Sequence, residues 1–443
     1  MIHPIETRYG RREVKDIFDE ENKLQKILEV EAALARAHAK VGNIPQKSAD
    51  IISKKVEDRV VTVARVKEIE AEINHDLMAA VKALSEKCAG EAGKYVHLGA
   101  TSNDIQDTAL ALQLREFIDL LDDDLVRLKN VLAMQCNKHK KTVCVGRTHA
   151  QHATPTTYGL KFAVWLCEIQ RHIDRIEECK KRILVGQMTG AVGTQAALGK
   201  KAIKIQELMM NDLDIGSVLV SNQVIQRDRH AEFIIDLALI AETLNKICTE
   251  IRNLQRTEID EVAEGFGKKQ VGSSTMPHKR NPIIAERVCG LSRIVKSNAF
   301  AQMDNIALWH ERDLTNSAPE RIIIPEACIL TDYILNLTTD VLENLVFNHE
   351  GIERNLAMSG GKIMAESVMM TLVEKGMGRQ DAHELVRRCA MESYKGKPFD
   401  KVLIENKEVR KHLSADEIIA ALDPKNYIGT AVEQVENVLR KIK

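Results

Sequence analysis

The stretch Asp228-Arg-His-Ala-Glu-Phe-Ile-Ile-Asp-Leu-Ala-Leu-Ile-Ala-Glu-Thr-Leu-Asn-Lys-Ile-Cys-Thr-Glu-Ile251 decides the fold class. Its apolar residues Ile234, Leu237, Ala241, Leu244, Cys248 and Ile251 recur at alternating steps of three and four, the pattern of a helix with one packing seam. The spacing predicts one long helix from Asp228 to about Glu264, and no proline interrupts the chain between Pro155 and Pro277. Comparable patterns run through about 104–138, 156–184, 283–308 and 320–346, rich in Ala, Leu, Glu, Lys and Arg. Strand-like alternation is nearly absent. The expected fold is all-α, a bundle of unusually long helices whose seams are long enough to join chains to one another.

Breaks in this pattern divide the chain. Residues 1–99 hold shorter helical segments, interrupted at Gly42-Asn-Ile-Pro45 and between Gly90 and Gly93, and read as an N-terminal helical domain. Residues 100–348 form the central long-helix bundle. After a break at Asn348 to Gly351, residues 349–443 read as a C-terminal helical domain, punctuated by Gly360-Gly361, Gly376-Met-Gly378, Gly396-Lys-Pro398 and Asp423-Pro424. Ser414-Ala-Asp-Glu417 has the spacing of a capping box.

Composition excludes several function classes. The 443 residues are 44% hydrophobic and 29% charged, with a formal net charge of -1. That balance gives no global basic field for nucleic acid or an anionic membrane, and 4% aromatic content offers few platforms for stacking bases. Any anionic ligand must be held by local arginines. Nine cysteines occur singly, without a C-x-x-C pair, as expected of reduced thiols acting as small core hydrophobes. The N-terminus lacks the basic start and apolar core of a signal peptide, and no apolar run approaches a membrane span, so a cytoplasmic protein is expected.

Three polar clusters stand out. Gly272-Ser-Ser-Thr-Met-Pro-His-Lys-Arg-Asn-Pro282 places hydroxyls, two cations and an amide between helical regions, behind the hinge glycines Gly265 and Gly267. Gly146-Arg-Thr-His149-Ala-Gln-His152-Ala-Thr-Pro155 precedes the helix expected from about Thr156, where free N–H groups can meet an anion and His149 can exchange a proton. Val96-His97-Leu-Gly-Ala-Thr101-Ser102-Asn-Asp104 offers hydroxyls that suit a carboxylate and equally suit a helix cap. Arg8-Tyr9, Asn74-His75-Asp76, Gln223 with Gln226-Arg-Asp-Arg-His230, Arg287 and Glu311-Arg312-Asp-Leu-Thr-Asn-Ser317 with Arg321 complete the set; each alone reads as surface charge or capping. Gly193-Thr-Gln-Ala-Ala-Leu-Gly199-Lys-Lys misses the P-loop spacing, and no metal-ligand or dinucleotide motif is present, so no metal or cofactor is expected.

Taken together, the Gly272–Pro282 run, Gly146-Arg-Thr-His149 and Thr101-Ser-Asn-Asp in a long-helix chain resemble the fumarase/aspartase superfamily across nearly the whole length. The resemblance implies a three-domain fold around a central bundle of long helices, a homotetramer with sites shared among subunits, small-molecule substrates and fumarate chemistry without a cofactor. Related lyases and the carboxymuconate cycloisomerases carry very similar loops. Arg8-Tyr9, His75-Asp76, the Gln223 region and Trp309 to Ser317 resemble the branch that cleaves succinylated purine nucleotides, where a phosphate calls for extra arginines and a tyrosine. That implies cleavage of adenylosuccinate to AMP and fumarate, and of succinylaminoimidazole carboxamide ribotide to the free carboxamide and fumarate.

The resemblance also implies roles. Ser273 is the expected base, His149 the general acid, and His75 orients substrate or supports His149. Lys279 and Asn281 stabilise the carbanion. Thr101 and Ser102 hold a succinyl carboxylate, while Arg8, Tyr9, Arg312, Ser317 and Arg321 meet the nucleotide and its phosphate. Asn74, Asp76, Gln223, Ser274, Met276 and Arg287 add substrate contacts. His97, His152 and His278 stand inside motifs, with catalysis and support equally open. A helical scaffold that has lost catalysis is the competing reading, against which Ser273, His149, Lys279 and Asn281 all remain present.

Overall fold

The computed structural model describes residues 3–267, 275–276 and 278–442. Five long helices dominate it: Ser102–His139, Tyr158–Ile183, Asp228–Leu254, Ile283–Asp304 and Ser317–Glu343. Each lies where apolar periodicity places it. Along the third, Ile234, Leu237, Ala241, Leu244, Cys248 and Ile251 are all at most 1% exposed, so the seam read from sequence is the packed face. Burying a leucine or isoleucine this fully contributes about 1.5–3 kcal/mol, which outweighs the modest helix propensity of Ile and Cys there. This helix stops at Leu254, ten residues before the expected end; the chain then turns, passes Asp260 with a φ of 51°, and enters a short strand, Val262–Ala263.

Contacts divide the chain into two compact units. The first comprises Met1–Val126, Arg171–Leu244 and Gly290–Asn336; the second comprises Arg127–Gln170, Asn245–Cys289 and Leu337–Lys443. In the first unit, helices Glu20–Lys40, Gln46–Glu57 and Asp76–Lys87 bury Leu28, Leu34, Ile52, Leu77 and Leu84 against Ile105 and Leu112. In the second, Val368, Leu372, Leu385, Phe399, Leu403 and Ile418 form the core of the short C-terminal helices. Ser414 and Glu417 close the capping box, each side chain meeting the other's backbone N–H.

Strand structure is small, in line with the near absence of strand-like alternation: β1 (Val143–Thr148) and β2 (Gln151–Thr157) form an antiparallel hairpin in the second unit. β-branched residues on both sides favour extended backbone, and Gly146 marks a bulge where a Cβ would stand 2.5 Å from the Thr154 carbonyl oxygen. The helix Ser317–Glu343 is long and apolar enough by composition to cross a membrane, contrary to the expectation that no run approaches a span. Of its most apolar window, 67% is buried inside the protein, the condition of a core helix surrounded by packing partners.

Candidate active site

In the first unit, a continuous set of contacts begins at the start of the helix Ser102–His139. Asp104 reaches back to the Thr101 N–H at 2.9 Å, one half of a capping box, and also accepts from the N–H groups of Thr189 at 2.8 Å and Gly190 at 3.0 Å. Gln187 donates to Asp104 at 3.1 Å and to the Gln223 carbonyl at 2.8 Å, and the Gln223 side chain accepts from Arg312 at 3.1 Å. Thr101, Ser102, Gln223 and Arg312, scattered through the sequence, are thereby brought together.

Arg312 then lines a cavity of about 250 Å³ with Ser317, Arg321, Lys23, Gln106 and Arg227. Arg227, 3% exposed, is fixed by Asp107 at 2.8 and 2.9 Å and by Glu320 at 3.0 Å. Burial works to raise Asp107, but the adjacent Arg227 charge and its hydrogen bonds prevail and hold the carboxyl below its usual range. Burial pulls Arg312 below its ordinary value, and pulls Lys23 down likewise, with Arg321 adding to that effect. Partly desolvated cations converging on one cavity favour an anion, above all a phosphate that two planar guanidinium forks can grip. Arg321 meanwhile pairs with Asp76 at 2.6 Å, which ties the Asn74-His75-Asp76 turn to this cavity.

That turn is built by capping. Asn74, at φ 52°, ends the helix Val63–Ile73, and the His75 ring accepts from the Met78 N–H at 3.3 Å to start the next helix. Arg8 and Tyr9 stand by another part of the same unit. The Arg8 guanidinium lies 5.8 Å from the Tyr9 ring centre, and Tyr9 packs 5.9 Å from Tyr333. The following residues anchor them: Arg11 bridges Asp332 and Asp124, and Gly10, at φ 90°, leaves no room for a Cβ against Ile329. Arg8 and Tyr9 are not among the residues lining the cavity.

In the second unit, His149 occupies the tip of the β1–β2 hairpin and not a helix N-terminus, which corrects the expectation for this cluster. The two-residue turn is His149-Ala150, at φ 52° and 61°, and the ring is exposed. Such turns normally take Asn or Gly, so both residues hold a disfavoured left-handed backbone. Beneath the tip, Arg147 and Tyr158 both bond the fully buried Glu261, which also accepts from Asn355 at 2.7 Å. Burial and then the Arg147 charge push His152 down, favouring a neutral ring.

Ser273 and Ser274 lie outside the described residues. Met276, Lys279 and Asn281 line a second-unit cavity of about 750 Å³ together with Arg252, Arg256, His278 and Arg280. The Lys279 N–H bonds the Met276 carbonyl at 3.0 Å. Arg287 sits in the first turns of the helix Ile283–Asp304, directly after Pro282, the position the fixed φ of proline predicts. His97 is tied to Glu31: its Nδ1 meets one carboxylate oxygen at 2.7 Å and its backbone N–H meets the other at 3.0 Å. Burial pulls the imidazole down, yet the Glu31 hydrogen bond and charge prevail and hold it above its ordinary value.

Sequence reading missed Lys23, Asp107 and Glu261, and quoted Arg227 only within a surface-looking motif. The available signal was the helical spacing of Asp104 and Asp107 on a face otherwise apolar. Among the described residues, Cys179, Glu232 and Asp236 bring possible ligand atoms within 4.8 Å of one another. Arg182 grips Glu232 at 2.7 and 2.6 Å and burial pushes the Cys179 thiol up to about 12, so a protonated thiol beside an ion pair fits a structural role.

Comparison with known proteins places the chain in a family. A family described as lyase matches residues 8–296, and one described as adenylosuccinate lyase C-terminus matches residues 361–438. The adenylosuccinate lyase of Pyrococcus abyssi is 56% identical over 443 residues, covering 100% of this chain and 98% of that protein. That of Methanocaldococcus jannaschii is 53% identical, covering 100% and 96%. Among solved structures, a fumarate lyase from Mesorhizobium superposes with a TM-score of 0.90 at 32% identity, covering 97% of this chain and 98% of that one. The 3-carboxy-cis,cis-muconate lactonizing enzyme of Pseudomonas putida does so with a TM-score of 0.90 at 34% identity, covering 98% and 97%. The chain is an all-α lyase of the fumarase/aspartase superfamily and belongs to the adenylosuccinate lyase family.

Proposed function

We propose that the chain eliminates fumarate from adenylosuccinate, leaving AMP, and from succinylaminoimidazole carboxamide ribotide, leaving the aminoimidazole carboxamide ribotide. The convergence of Arg312, Arg321, Ser317 and Lys23 on one cavity carries this reading, since a nucleotide phosphate needs such a set and a dicarboxylate alone does not. Thr101 and Ser102, linked to Gln223 through Asp104 and Gln187, suit a succinyl carboxylate and the base.

The chemistry assigns the remaining groups. Ser273 removes the proton beside a carboxylate, and the carbanion is met by the Lys279 charge and the Asn281 amide. A serine hydroxyl is a weak base unless a nearby cation stabilises its alkoxide, which Lys279 provides. His149 gives its proton to the departing nitrogen, and His75 orients the substrate or supports His149. Ser274, Met276 and Arg287 contact the fumarate half, while Arg8, Tyr9, Asn74 and Asp76 complete the nucleotide half. We place the protein in the cytoplasm as a homotetramer of three-domain chains (1–99, 100–348, 349–443) whose sites draw on several subunits.

Purified protein given adenylosuccinate should release AMP and fumarate, and Ser273→Ala and His149→Ala should each lose most of that activity. No turnover by the unmodified protein overturns the assignment. Mixing the two inactive variants tests the shared site: recovered activity in hybrids shows that Ser273 and His149 come from different subunits.

A further inference from the structure

Gln255 immediately follows the long helix Asp228–Leu254, and its own N–H bonds Ile251 at 3.0 Å, so its backbone continues a rigid element. The two ends of its side-chain amide are used in opposite directions. The oxygen accepts from the Glu264 N–H at 3.1 Å, and the nitrogen donates to the Arg280 carbonyl at 3.1 Å. One side chain thus joins the chain just before Gly265 to the chain just after Lys279. Two further contacts join the same ends: the buried Glu264 carboxylate accepts from the N–H groups of Ile284 at 3.2 Å and Ala285 at 3.1 Å, and the Arg280 guanidinium lies 5.2 Å from the Phe266 ring centre.

We propose that Gln255 is a positioning residue for the elimination, fixing where Lys279 and Asn281 stand by tying these two ends to the helix Asp228–Leu254. This rests on the roles proposed above for Lys279 and Asn281. A primary amide suits the task because it carries an acceptor and a donor on one rigid plane; a carboxylate supplies only acceptors, and a thioether supplies neither in useful strength. Arg280 is the neighbour of Lys279 on one side and of Asn281 on the other, so a shift of its carbonyl moves both groups. A displacement of about 1 Å at reacting groups costs on the order of a hundredfold in rate.

Steady-state kinetics on the full-length protein with adenylosuccinate test this, using Gln255→Met, Gln255→Glu and Lys279→Met. The expected result for both Gln255 variants is a kcat lowered roughly tenfold to a hundredfold with KM changed less than about threefold. Gln255→Glu keeps the acceptor for the Glu264 N–H, so it carries the test if the Met variant folds poorly. A lowered Tm with unchanged kcat well below that temperature overturns the proposal and leaves Gln255 a stabilising residue only. Full activity of Lys279→Met instead overturns the assigned role of Lys279, whatever Gln255 does.

Discussion

The two units carry their functional groups in opposite ways. In the first, the frame behind the binding arginines is buried and paired: Arg227 is 3% exposed between Asp107 and Glu320, and Arg312 leans on Gln223. In the second, His149 and Lys279 are exposed, held by the backbone of a hairpin tip and by the ends of a loop. A group that binds a fixed anion gains from desolvation and from a rigid frame of counter-charges. A group that must give up or take a proton gains from access and from a protonation state no buried partner has locked.

The sharpest way to break this contrast is kinetic. His149→Gln should lower kcat by about a hundredfold to ten-thousandfold, the usual contribution of one acid or base, with KM little changed. Arg321→Met should do the reverse. Losing a hydrogen bond to a charged group costs about 1.5–3 kcal/mol, so KM for adenylosuccinate should rise on the order of tenfold to a hundredfold at nearly constant kcat. Equal losses in kcat and KM for the two variants would show that the units do not divide the work.

A second test removes the frame of the first unit. Arg227→Met strands Asp107 and Glu320 in the interior, and removing one partner of a buried ion pair costs about 3–5 kcal/mol. Urea unfolding should register most of that loss. The contribution of Asp107 to the pH dependence should also reverse. With Arg227 present, Asp107 sits below its ordinary range, so its stabilising contribution is present above the unfolded pKa and is lost as pH falls through the folded one. Without Arg227, burial is opposed mainly by the Ile225 N–H and the Asn103 amide, so the carboxyl should rise and the variant should gain more stability than the parent on acidification from pH 7 to pH 5.

The contrast also explains what the sequence disclosed. The long helices were legible because Ile234 to Ile251 and their counterparts repeat one spacing over many turns, and tertiary packing only reinforces it. The hairpin was not: Gly146 to Pro155 is rich in polar residues and short, and its pairing depends on a bulge and two left-handed residues that no local pattern announces. The pairing of Asp107, Arg227 and Glu320 was hidden for a related reason. They lie on or beside three different helices, and only the fold brings Arg227 to Asp107, 120 residues away, and to Glu320. Motif residues such as Thr101 and Arg312 are recognisable by resemblance, but the route joining them, through Asp104, Gln187 and Gln223, exists only in the folded chain.

The smallest predicted effect lies at the hairpin tip. A non-glycine residue in left-handed backbone costs about 1–2 kcal/mol, and Ala150 has no side-chain hydrogen bond to offset it. Ala150→Gly removes that penalty but frees the unfolded chain, so the net gain in unfolding free energy should be about 0.5–1 kcal/mol. His149 shares the turn, and its ring direction depends on its own φ of 52° being enforced by the residue beside it. Glycine at 150 relaxes that constraint, so kcat should fall severalfold even as stability rises. Stability and kcat rising together, in the same preparation, would mean that the strained turn is an accident of the hairpin and that His149 is aimed by something else.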